Sequence, residues 1–114
     1  MEEKINLLYN KDKLKISKYE DSIIFESGHH PKGRKPERGE LLWTPIPQKE
    51  LSSVLERLVK STSVEYGRVN CDDDAALIFY KEKNNFVKVL HWWNCGNYEH
   101  VIPYKTLKGI SCEK

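Results

Sequence analysis

One stretch restricts the fold of this chain more than any other. Leu51, Val54, Leu55, Leu58 and Val59 stand at i, i+3, i+4, i+7 and i+8, the spacing that lines up one apolar stripe along an α-helix. Lys49, Glu56, Arg57 and Lys60 fall off that stripe. Pro47 suits the first helical turn, where its missing N–H costs nothing, and Glu50 meets the positive end of the helix dipole. Ser61-Thr62-Ser63 ends the pattern, so the spacing predicts a helix over about 47–61. Such a stripe must be covered, and on both sides of it the chain reads as β-structure.

Ahead of the helix, Ile5, Leu7 and Tyr9 alternate, as do Leu14 and Ile16 with the flanking Lys13, Lys15 and Lys18. Period-2 alternation marks half-buried strands. Asn10-Lys11-Asp12-Lys13 has turn chemistry, and Glu20-Asp21-Ser22 leads into the apolar Ile23-Ile24-Phe25. The lysines of the second strand read as an edge guarded against pairing with other chains. Beyond the helix, strands are expected over 64–69, 75–81, 86–94 and 98–102, with Gly67 marking a bulge or a close backbone approach. Lys83-Asn84-Asn85 and Asn94-Cys95-Gly96-Asn97 close hairpins, and Pro103 ends the last strand. Residues 104–114 read as one turn and a frayed end, and no internal repeat is visible. The order is β-β-β-loop-α-β-β-β-β. It predicts an α+β fold: an antiparallel meander of six or seven strands with the helix packed on one face.

A chain of 114 residues fits a single domain, 1–114. Its mean hydropathy of −0.68 is polar, yet three Trp, six Tyr and three Phe supply core material that disordered chains lack. No apolar run approaches the roughly 20 residues that span a bilayer, and Met-Glu-Glu-Lys opens no signal peptide. The expectation is a cytoplasmic protein with no membrane partner. Cys71, Cys95 and Cys112 are an odd set, so they are expected to be free, buried thiols in a reducing compartment. Nineteen basic and seventeen acidic side chains leave a net charge of +2. That balance excludes a surface that grips nucleic acid all over, and phosphate binding would need a local patch.

Such a patch exists at 28–40, where three Gly, two Pro and no aliphatic residue exclude helix and central strand alike. Long loops of this kind tend to carry function. Here His29, His30, Lys32, Arg34, Lys35 and Arg38 are opposed only by Glu37 and Glu40. Cations attract an acidic partner or a phosphate, and histidine moves protons near neutral pH. Leu41, Leu42 and Trp43 return the chain to the core, and Trp43 joins the loop as a candidate contact.

Other groupings carry less. His91, Cys95 and His100 have zinc-ligand chemistry, but a fourth ligand would have to come from Cys71 or Cys112, and there is no C-x-x-C. A cross-strand histidine pair is the better reading, with no metal and no cofactor. Asp72-Asp73-Asp74 is an acidic turn without the alternation of a calcium loop. Trp92 and Trp93 must face opposite sides of a strand, so an aromatic platform with Trp43, Tyr66, Tyr98 and Tyr104 competes with ordinary packing. No triad, phosphate-cradling Gly loop or nucleotide-binding motif is present.

These features point more to a small binding protein than to an enzyme, one that occludes a protein partner, as toxin-neutralising immunity proteins and phage-type inhibitors of host enzymes do. The alternative is a small ribonuclease or RNA-binding module using the same loop. In the ribonuclease, His29 or His30 would serve as acid and base, with Lys32 or Arg34 on the phosphate.

Overall fold

The computed structural model describes residues 5–11, 13–28, 41–68, 75–93 and 96–112. The first half of the chain forms β1 (Asn6–Lys11), β2 (Leu14–Tyr19), β3 (Ser22–Gly28) and β4 (Leu41–Pro47), followed by helix α1 (Gln48–Val59). The alternation expected of β1 fails, because its register on β2 shifts between Leu7 and Tyr9, leaving Ile5 and Leu7 exposed while Leu8 and Tyr9 pack on the core. The chain then repeats the pattern: β5 (Ser63–Arg68), β6 (Ala75–Lys81), β7 (Phe86–Trp93) and β8 (Gly96–Pro103), followed by helix α2 (Tyr104–Ser111). A 3-10 turn at Lys83–Asn85, with Asn84 and Asn85 both left-handed, closes the β6–β7 hairpin.

The α+β class holds, but the single meander with one helix does not. Among the described residues there are two antiparallel sheets of four strands, ordered β1-β2-β3-β4 and β5-β6-β7-β8, and two helices. Their inner faces meet. Leu14, Ile16, Ile23, Phe25 and Ile46 from the first sheet share one core with Leu77, Phe79, Val87, Val89 and Ile102 from the second. Phe25 and Phe79 meet edge to face at 6.0 Å between centroids, the arrangement aromatic quadrupoles favour. At one end, α1 and α2 add Leu51, Val54, Leu55, Leu58, Leu107 and Ile110 to the same core.

Several local expectations are corrected. β2 is not an edge, because it pairs with both β1 and β3. Pro47 caps α1 instead of entering its first turn, and Gln48 N–H donates to the Asp21 carbonyl at 2.8 Å. Val59 leaves the stripe and is 55% exposed, since the last turn runs past the edge of the core. Gly67 sits in an unbroken β5–β6 register, so no bulge occurs there. A Cβ on it would come within 3.1 Å of the Ala76 Cβ, which makes it a close approach. The four buried stripe residues carry a direct test. Leu55→Ala is expected to cost about 2–5 kcal/mol in chemical denaturation, the usual range for deleting a buried leucine side chain.

The expectation of no internal repeat also falls. Strand pairing matches position by position between the halves: Ile23 pairs with Ile46 as Val87 pairs with Ile102, and Phe25 pairs with Thr44 as Val89 pairs with His100. Ile46-Pro47-Gln48-Lys49-Glu50-Leu51 recurs as Ile102-Pro103-Tyr104-Lys105-Thr106-Leu107. Both prolines take the same extended conformation, φ −56° and ψ 141° at Pro47 against φ −58° and ψ 137° at Pro103. The molecule is therefore two ββββα units stacked sheet to sheet. Among the described residues, no helix is long and apolar enough to cross a membrane.

Candidate functional site

The helices fill one end of the sandwich. At the other end the inner faces become polar. Ser27 on β3, Thr44 on β4, and His91 and His100 on β7 and β8 are all buried there, His91 completely. The Ser27 hydroxyl bridges both imidazoles, 2.8 Å from His91 Nδ1 and 2.9 Å from His100 Nε2. Thr44 Oγ1 lies 2.7 Å from His91 Nε2. Period-2 alternation puts these side chains inward, because each stands two residues beyond a buried apolar neighbour on its own strand: Phe25, Ile46, Val89 and Ile102.

Register explains the shape of the network. Ser27 is the counterpart of His91 in the repeat, and Thr44 is the counterpart of His100. Exchanging the halves turns the Ser27–His100 bond into the His91–Thr44 bond and leaves the Ser27–His91 bond in place. Such reciprocity marks an isologous interface, here formed within one chain.

Burial beside His100 lowers the His91 pKa from 6.5 to about 3, so this imidazole is neutral near neutral pH. A neutral imidazole offers one N–H and one lone pair. One hydroxyl must therefore donate to His91 while the other accepts from it, and either assignment leaves Ser27 able to bond His100. Both His91 nitrogens are spent on hydroxyls, so it has no lone pair free for a metal and no proton to trade with solvent. Among the described residues, no buried side-chain nitrogen or oxygen lacks a partner, and no three His, Cys, Asp or Glu side chains are placed to share a metal ion.

The expected cross-strand pairing of His91 with His100 is corrected. Both lie on the inner face of the β7–β8 hairpin, but His91 stands opposite Tyr98 and His100 opposite Val89, so the two imidazoles are diagonal neighbours that meet through the Ser27 hydroxyl. Sequence reasoning missed the hydroxyl partners, which lie 47 to 73 positions away and leave no local pattern. Of the loop residues, His29, His30, Lys32, Arg34, Lys35 and Arg38 lie outside the described residues, as do Cys71, Asp72, Asp73, Asp74 and Cys95. Trp43 does not return to the core. It is 57% exposed on the outer face of β4, opposite Glu26.

The aromatic platform does not assemble among the described residues. Trp92 faces outward from the second sheet, whereas Trp43 faces outward from the first. Tyr66 and Tyr104 pack on the core, and Tyr98 stacks on His100 at 6.4 Å. Cys112, expected to be buried, is an exposed free thiol just beyond α2. At the helix end, a groove of about 330 Å³ is lined by Leu58, Val59, Phe86 and Tyr104. The Lys81 ammonium in its wall donates to the Val59 carbonyl at 2.7 Å.

Fold and site together define a class, a duplicated ββββα sandwich whose halves are joined at one end by a hydroxyl–imidazole network. Comparison with protein-family models, with curated proteins and with solved structures gives no match to this chain.

Proposed function

We propose that this protein is a small binding protein that acts by occluding a protein partner, in the manner of a toxin-neutralising immunity protein or a phage-type inhibitor, and that the partner meets the segment between β3 and β4. What supports this reading is a comparison internal to the chain. The β7–β8 hairpin passes from Trp93 to Gly96 with two residues between them, while its counterpart passes from Gly28 to Leu41 with twelve. A fold that closes one hairpin with two residues does not require twelve in the other. The surplus carries His29, His30, Lys32, Arg34, Lys35 and Arg38, and the exposed Trp43 follows it on β4. Four cations in so short a segment suit an acidic surface on the partner, and an exposed indole beside them suits an interface core.

The test replaces residues 29–40 by Asn-Gly, a two-residue hairpin turn. The trimmed chain is expected to keep its fold and thermal midpoint while losing the host protein that cross-links to the full chain. Neutralising Lys32, Arg34, Lys35 and Arg38 together should slow that association and flatten its salt dependence. A trimmed chain that still captures the same protein would remove the segment from the interface. Purified full chain is expected to leave RNA intact, and cleavage abolished by changing His29 and His30 would replace this reading with the ribonuclease.

A further inference from the structure

We propose that the Ser27–His91–His100–Thr44 network is an acid-sensitive latch, whose protonation parts the two sheets at the end bearing Gly28, Leu41, Trp93 and Gly96 while the helix end stays packed. The two ends of the sandwich are held by different physics. Around α1 and α2 the contacts are aliphatic, from Ile23, Ile46, Val87 and Ile102 to Leu51 and Leu107, and none of these side chains titrates. At the opposite end, beside the buried Leu14 and Leu77, the described residues join the sheets by three hydrogen bonds, each with an imidazole as one partner.

Among the described residues, the strand rows around the network offer a proton on His91 no carboxylate. β3 and β4 present the hydroxyls of Ser27 and Thr44, and β2 and β6 present Leu14 and Leu77 in the same rows. β8 presents His100 and Tyr98, one a second imidazole and the other a phenol. At the outer edges of these rows stand Lys11 on β1 and Tyr66 on β5, and the rows through Thr44 and His100 end at Tyr9 on β1 and Val64 on β5, none of them a carboxylate. A proton on His91 loses its hydration and is repelled by any charge on His100, and no carboxylate among the described residues of these rows is placed to pair with it.

The sign follows from proton counting. An imidazole released to water takes its proton at pH 6.5, whereas His91 in place takes it only near pH 3. Between these values the open end holds one more proton than the closed end, so acid favours opening by up to tenfold for each pH unit. Above pH 6.5 neither form is charged and the dependence vanishes.

Amide hydrogen exchange on the full chain between pH 7 and pH 5, corrected for intrinsic rates, is the test, because exposed carboxylates stay largely ionised over that range. Opening at residues 25–27 and 89–91 is expected to rise by up to tenfold per pH unit below 6.5, while residues 51–58 and 107–110 hold their protection. His91→Gln keeps a hydrogen-bonding side chain that does not titrate and should flatten the dependence. If that variant does not fold, imidazole nitrogen shifts of the unaltered chain decide, since His91 must stay neutral until the end opens. Loss of protection at both ends together would overturn the latch. So would a pH dependence that survives in His91→Gln, or a His91 that titrates near 6.5 with no change in exchange.

Discussion

Phe79→Ala is expected to lower the free energy of unfolding by about 3–5 kcal/mol, the usual range for truncating a buried phenylalanine. Phe79 is fully buried on β6, and its ring meets Phe25 of the opposite sheet edge to face. Truncation removes apolar surface from both halves at once. The surrounding β-branched and leucine side chains, Ile16, Val64 and Val89 among them, are held by sheet register and collapse little into the cavity. Urea denaturation of Phe79→Ala, Phe25→Ala and the double variant separates the terms. The coupling between the two rings is expected at about 0.5–1.5 kcal/mol beyond the burial of each. Strictly additive losses would mean that the two rings do not interact across the sheets.

The second large effect belongs to the network. Ser27→Ala deletes one small hydroxyl, yet it leaves both His91 Nδ1 and His100 Nε2 without their partner. An unsatisfied buried polar group costs about 1–3 kcal/mol, so the loss is expected at about 2–6 kcal/mol. A solvent-facing serine such as Ser61 changed to Ala serves as the control and should cost almost nothing. The asymmetry of buried hydrogen bonds gives the second arm. Adding His91→Leu and His100→Leu to Ser27→Ala removes the stranded imidazoles and should recover part of the stability. A Ser27→Ala variant as stable as the parent would mean that water replaces the hydroxyl and that the network does not hold the sheets.

Much of the local structure was legible because it is written in local periodicity. The stripe from Leu51 to Leu58 found α1, and alternation, short apolar runs and turn residues together found seven of the eight described strands. β4 escaped because Pro45 and Pro47 argue against a strand. It exists because it is an edge, with β3 on one side only, where prolines without an N–H are tolerated. α2 escaped because eight residues containing Gly109 do not hold a helix in water alone. Leu107 and Ile110 acquire their value only when buried in the core shared with α1. In the site, the placing of His91 and His100 on one hairpin could be read locally, though not their diagonal register, whereas Ser27 and Thr44 belong to the other half of the chain.

What the sequence determined by itself was therefore the set of elements with strong internal period, the antiparallel hairpins between near neighbours, and a basic segment longer than any hairpin needs. The tertiary structure alone decided that the strands divide into two sheets, that the halves repeat, and that two hydroxyls and two imidazoles meet between them. The physical reason is that a period records only which face of an element is apolar. It does not record which other face will cover it, and in this chain the cover for each sheet comes from the opposite half.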